Sequence, residues 1–242
     1  MTARQRNMAG QLSSQVTRNL VLQRLSNADL RLLEPHLSLV DLPPRKHLES
    51  AHKRIEQIYF IDTGFASVVA NGSEGSVELG LIGREGVTGL AVIMGTDRSS
   101  HDIVIHGAGA GRRISAANLR RAMGQSESLR NTLLHSAHVF LTQMAHTAVS
   151  NVHGKIEQRL ARWLCMARDR SDEDKLTVTH EFLALMLGVQ RPSVTVALDM
   201  LEKFGFIKTG RGVISFIDRK GLEKSAAGAY GGPEAEFQRL FG

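Results

Sequence analysis

The side chains best placed to do chemistry are hydrogen-bond donors gathered around one helix start near the C-terminal end. They are Thr179, Gln190, Arg191, Ser193, Thr195, Lys203 and Arg211, with Val196 among them. A guanidinium presents a planar fork of donors that matches the O6 and N7 acceptors of guanine, which makes Arg191 the residue best suited to read a base edge. Ser193 stands where a helix N-terminus would add backbone N–H groups and dipole to its hydroxyl, a combination that suits a phosphate oxygen. Thr179, Lys203 and Arg211 are further phosphate candidates. Ser193 and Thr195 flank the outward face, Gln190 sits with Arg191 at the helix N-terminus, and Val196 can offer methyl contact, for instance to thymine. No nucleophile–base pair, metal-ligand cluster or complete phosphate-loop pattern accompanies them, so an enzyme is not expected. Gly107 to Gly111 is glycine-rich but lacks the helix-opening context of a dinucleotide site.

Two helices and a hairpin must hold these residues. Thr179 is an N-cap candidate, and Glu181 puts negative charge in the first turn that follows. Leu183, Met186 and Leu187 mark one apolar face, and Gly188 stops the helix where a left-handed residue is needed. A second helix starts at Gln190 or Arg191, with Pro192 in its first turn, where a missing N–H costs nothing. Its core stripe is Val194, Leu198 and Leu201. At 100° per residue, Pro192, Val196, Asp199 and Lys203 then point outward. Two helices joined by a tight glycine turn form a helix-turn-helix, whose second helix enters a DNA major groove. Gly205 ends that helix, and Phe206–Lys208 and Val213–Ile217 read as strands around the turn Thr209–Gly212, with Arg211 at its tip. This hairpin is the wing of a winged helix. Two amphipathic helices around a glycine also occur in small α domains that bind nothing; the wing in register favours the DNA-binding reading.

Upstream, Val16–Leu25 and Asp29–Leu37 look like short helices, and Pro43-Pro44 closes them. Ile58–Ile61, Phe65–Ala70, Val77–Ile82 and Ile103–Ile105 are short strands, with turn signals at Asp62–Gly64, Asn71-Gly72 and Gly107–Gly111. Strands so spaced suggest an antiparallel roll. From Ser115 the texture is helical: Ala116 to Met123, an interruption at Gly124, then a helix that Ser126 can cap. Leu129, Leu133, Ala137, Phe140, Met144 and Thr147 advance in steps of three or four, which predicts a coiled-coil seam and a parallel homodimer. The same stripe could instead pack on its own roll. Asn151 and His153-Gly154 mark a hinge before a helix from Ile156 to Arg168. The expected organisation is a tail at 1–15, a roll at 16–115, a dimerisation helix at 116–151, a winged helix at 152–222 and a C-terminal tail at 223–242.

The chain has 242 residues, enough for one large or two ordinary domains with real cores, and a net charge of +6 that favours a polyanionic partner. A single cysteine, Cys165, excludes an internal disulfide and a four-cysteine cluster, and its apolar neighbours suggest a buried, inert thiol. No apolar run approaches the roughly 20 residues that span a bilayer, and the first residues lack a signal-peptide core, so a cytoplasmic protein without a membrane partner is expected.

The order roll, long helix, hinge, winged helix resembles the cyclic-AMP receptor protein family of bacterial transcription regulators, the CRP/FNR regulators, over roughly residues 20 to 222. The most specific match is Leu183-Ala-Leu-Met-Leu-Gly-Val-Gln-Arg-Pro-Ser-Val-Thr-Val-Ala-Leu198. Ile82-Gly83, Gly89 and Arg98-Ser99 are similar to the family's phosphate-binding cassette. The resemblance implies an α+β fold with an N-terminal antiparallel, cyclic-nucleotide-binding-like jelly roll, and it implies that Arg191 reads a base. It makes double-stranded DNA with an inverted-repeat operator, a second copy of the chain and RNA polymerase the expected partners. Gly89, Leu90, Arg98 and Ser99 are the candidate effector pocket. Nucleotide-binding relatives carry a glutamate at the Leu90 position, and leaving the ligand hydroxyl unpaired there costs about 2–3 kcal/mol. Glu85 adds negative charge where the family has glycine, so cyclic AMP is not the expected effector. No metal site is expected. His47, His101 and His106 could ligate haem, but no spacing singles one out; an unidentified small molecule or no effector at all remains. Pro192 and Val196 replace residues that relatives close to the cyclic-AMP receptor use on bases, which predicts a different operator. The competing reading is an interaction protein whose winged helix meets a protein partner.

Overall fold

The structure, a computed structural model, describes residues 17–73 and 75–242; the expected tail at 1–15 lies outside the described residues. In chain order its helices are α1 (Leu20–Gln23), α2 (Asn27–Leu33), α3 (Leu90–Ile93), α4 (Ala116–Gln125), α5 (Glu127–His153), α6 (Ile156–Arg170), α7 (His180–Leu187), α8 (Arg191–Lys203), α9 (Arg219–Ser225) and α10 (Gly232–Phe241). The strands are β1 (Ser38–Leu42), β2 (His47–Glu49), β3 (Gln57–Ile61), β4 (Phe65–Gly72), β5 (Gly75–Ile82), β6 (Asp102–Gly107), β7 (Gly109–Ser115), β8 (Lys175–Thr177), β9 (Ile207–Gly210) and β10 (Val213–Phe216). They group into two compact units, Met1–Gly64 with Ile82–His138, and Phe65–Leu81 with Val139–Gly242.

In the first unit β7 is the central strand of an antiparallel sheet ordered β1-β7-β3, with Ile58 opposite Ile114 and Leu39 opposite Arg112, and β2 pairs with β6. Ile58, Phe60, Ile61, Ile103, Ile105, Ile114 and Leu119 are among its fully buried side chains. The lead-in helix is shorter than the sequence suggests. It starts at Leu20, because Asn19 caps it by accepting from Leu22 N and donates to Ile61 O and Gly86 O at 3.0 and 2.9 Å. Asp62 gathers Thr17 Oγ1, Arg18 N and Asn19 N and pairs with Arg112, so the lead-in is stapled to the end of β3. The glycines at 107–111, read as a turn, mostly lie in β7. A Cβ on Gly109 would stand 1.9 Å from Thr63 O, and one on Gly111 2.4 Å from Phe60 O. Close backbone approach, and not a turn, requires glycine there.

The second unit holds the β4–β5 hairpin, the C-terminal part of α5 and everything after it. The compact division therefore does not follow the expected boundary at residue 115. Trp163 of α6 stands edge-on to Phe65 of β4 and to Phe182 of α7, with ring centroids 6.4 and 5.8 Å apart. Its Nε1 donates to Glu78 of β5 at 2.8 Å, and Ser67 of β4 donates to the other Glu78 oxygen at 2.6 Å. The Gln143 amide of α5 accepts from Leu81 N and donates to Leu81 O, as a neighbouring strand would. Residues 223–242, expected to be a tail, finish α9 and form α10, with Pro233, Phe237 and Phe241 buried. Their apolar spacing is helical, and Pro233 in the first turn suits a helix start. Among the described residues no helix is long and apolar enough to cross a membrane.

Candidate nucleic-acid interface

Local chemistry builds the two-helix corner. Thr179 caps α7, its Oγ1 accepting from Phe182 N at 3.1 Å, and Gly188 closes it at φ +61°. Gln190 occupies the N-cap of α8 without a side-chain cap bond, which leaves its amide available to a ligand, and Pro192 follows in the first turn. Leu183, Met186 and Leu187 of α7 and Val194, Leu198 and Leu201 of α8 are buried in one cluster with Ile207 and Ile214 of the wing. Burying such side chains stabilises by roughly 1.5–3 kcal/mol each, so the angle between the helices is fixed by the core. The wing is part of a three-stranded sheet, β8-β10-β9; β8, absent from the sequence reading, pairs Leu176 with Ile214. A three-residue strand after a charged loop has too little pattern to be seen in advance.

This arrangement exposes Gln190, Arg191, Pro192, Val196, Asp199 and Lys203 along one side of α8, with Ser193 and Thr195 half-buried beside them. Arg211 is exposed at the tip of the wing, and Thr179 is exposed at the start of α7. Gln190, Arg191 and Ser193 share the N-terminal turn of α8. Two side chains that are not among the expected DNA contacts also belong to this corner. Glu181 Oε1 lies 2.7 Å from Arg191 Nε, and His180 Nδ1 lies 3.0 Å from Thr195 Oγ1. Both sit ten or more residues from their partners, so the signal for them is the helix crossing and not a local pattern.

The candidate effector residues differ in their surroundings. Gly89 adopts φ +74° and its N–H donates to Glu49 Oε1 at 2.5 Å. Burial raises the Glu49 carboxyl to about 7, against the hydrogen bonds from Gly89 and Thr88. Leu90 is buried in α3. The Arg98 guanidinium is exposed, donating to His52 O and paired with Asp97. Ser99 is buried and its Oγ accepts from His101 N. The carboxylate at the end of β2 thus already accepts from the Gly89 N–H. Of the three histidines, His47 is exposed, while burial lowers His101 and takes His106 down to about 4. Among the described residues no group of three or more histidine, cysteine or acidic side chains could hold a metal ion. Cys165 is fully buried and its thiol is pushed up to about 12.

The residues expected to form the dimer seam lie on a face that their own chain largely covers. Leu129, Leu133, Ala137 and Phe140 are buried within their own chain, and Met144 and Thr147 are half-buried. Next to that stripe a second one, Leu134, His138, Leu141, Ala145, Ala148 and Val152, repeats in steps of four and three, and all of it is exposed. Both stripes carry the seven-residue period, and the bulkier one packs at home.

Residues 158–225 match the Crp-like helix-turn-helix domain. Comparison with curated proteins finds no match. Among solved structures the chain is similar to a transcriptional regulator of the CRP/FNR family from Eubacterium rectale, at 18% identity and TM-score 0.67, covering 86% of this chain and 97% of that one. It is similar to FixK2 from Bradyrhizobium japonicum, at 16% identity and TM-score 0.66 over 78% and 96% of the two chains. TTHB099, a CRP-family regulator from Thermus thermophilus, gives 18% identity and TM-score 0.65 over 80% and 99%.

Proposed function

We propose, from a Crp-like helix-turn-helix domain at residues 158–225 on a chain with the fold of CRP/FNR regulators, that this protein is a homodimeric, sequence-specific DNA-binding transcription regulator. The observation that carries the reading is the N-terminal turn of α8, where Gln190, Arg191 and Ser193 stand exposed or half-exposed on a buried frame beside the wing. Arg191 donates to guanine, Ser193 and Thr179 hold phosphates, and Lys203 and Arg211 add charge at the two ends of the contact. Thr179 Oγ1 accepts from the α7 backbone and keeps its proton for a phosphate oxygen. The roll at 16–115 is the sensory part, and its signal is not cyclic AMP. Glu49 already occupies the Gly89 N–H, and Leu90 has no acceptor for a ribose hydroxyl. Dimers form along α5 and meet an inverted repeat with half-sites one helical turn apart.

A second reading, in which the winged helix binds a protein, is favoured by the exposed Val196 and Phe204, at 61% and 60%. Titrating a duplex against the full chain at several salt concentrations separates the two. A DNA contact made through phosphates weakens steeply as salt rises, losing roughly 0.9 in log K per log salt for each phosphate neutralised. A flat salt profile, or no binding to any duplex, would favour the protein partner.

A further inference from the structure

The first turn of α7 reaches across to α8 at two points. Glu181 Oε1 meets Arg191 Nε at 2.7 Å, with both side chains about two-thirds exposed at 65% and 64%. His180 meets Thr195 Oγ1, which also lies 3.4 Å from Arg191 O. Exposed ion pairs contribute little to folding, and holding two long side chains together costs rotamer entropy. The Glu181–Arg191 pair therefore has little to do for stability, yet it sits where α8 presents its N-terminal turn. The ion pair is made at Nε, close to the carboxylate, so the two terminal nitrogens can still donate to a ligand. Those nitrogens are the pair that can donate together to guanine O6 and N7. A carboxylate beside that fork also repels phosphate oxygens, which opposes the alternative in which Arg191 swings onto the DNA backbone and reads nothing.

We infer that Glu181 is a positioning residue for base reading: it orients Arg191 toward guanine and sets how strictly that guanine is required. This rests on Arg191 reading a base, and the experiment keeps the two apart. The full chain is used to select sites from a random-sequence duplex pool. Affinities of wild type, Arg191→Ala, Glu181→Ala and Glu181→Gln are then measured for the selected site, for single-pair variants of it and for an unrelated duplex. The pair whose preference vanishes in Arg191→Ala marks the guanine. Glu181→Ala should weaken that one preference about tenfold, within the range of a single bidentate contact, while its thermal midpoint stays at the wild-type value. It should also bind the unrelated duplex more tightly. Glu181→Gln, whose amide oxygen still accepts from Nε, should recover most of the guanine preference while keeping the raised non-specific affinity. An unchanged preference in Glu181→Ala, with a lost one in Arg191→Ala, overturns the role of Glu181 alone. No enriched site, or wild-type preference in Arg191→Ala, overturns the base-reading assignment and this inference with it.

Discussion

Glu78 is the residue whose surroundings are hardest to foresee from its neighbours in the chain. It is fully enclosed with Ser67 and Trp163 as donors, and burial raises its carboxyl to about 8 even though Arg162 and Arg170 act in the opposite direction. Glu49 is raised to about 7 for the same reason. Both carboxyls bind protons more tightly in the folded chain than in the unfolded one, where a glutamate titrates near 4.5. Their contribution to stability is therefore complete below about pH 4.5 and is lost as pH rises through about 7 and 8. The thermal midpoint should fall between about pH 5 and pH 8, and Glu78→Gln, which keeps an acceptor for Trp163 but cannot ionise, should flatten that fall. An identical slope in the variant would show that Glu78 does not titrate in this window. In the sequence Glu78 is an ordinary polar position in a strand. Its pairing with Trp163, 85 residues away, is a consequence of packing.

At the scale of elements, the two-helix corner was legible because its determinants are local. Thr179, Gly188, Pro192 and the stripe Val194, Leu198, Leu201 each act within a turn or two of themselves. Gly188 is the sharpest case. At φ +61° it has open space around it, the nearest contact for a Cβ being Val77 Cγ2 at 3.7 Å. The strain of an L side chain in that conformation is thus the main cost of substitution, about 1–2 kcal/mol for Gly188→Ala. Urea unfolding should show that loss, and Gly188→Asn should lose less because asparagine tolerates the left-handed region. Equal losses for the two variants would point to packing instead. The elements misread were those whose extent is set from outside. α1 begins at Leu20 because Asn19 is anchored to Ile61 and Gly86, and Gly109 and Gly111 serve the approach of another backbone.

At the scale of the molecule the deciding feature is α5, which offers two heptad stripes one residue apart. A sequence pattern reports the period of a helix but not which face its own chain will cover. Leu133 is fully buried and Leu141 is 49% exposed. Leu141→Lys should therefore leave folding intact and give a monomer by light scattering of the full chain, with operator affinity reduced. Leu133→Lys should instead lose cooperative unfolding, since it places a charge in the core. A dimer that survives Leu141→Lys would move the interface off this stripe.

The sequence alone was enough for the order of parts, the helix-turn-helix with its wing, the place of Arg191 at the start of its second helix, the buried Cys165 and the resemblance to CRP/FNR regulators, because these depend on spacing and local conformation. Tertiary structure alone decided that the β4–β5 hairpin groups with the C-terminal half, that Gly232–Phe241 packs its Phe237 and Phe241 into the fold, that Glu49 takes the Gly89 N–H, and that Glu181 pairs with Arg191. Each of these is a contact between residues far apart in the chain, and such contacts are chosen by which surfaces bury best together, a property that no single segment carries.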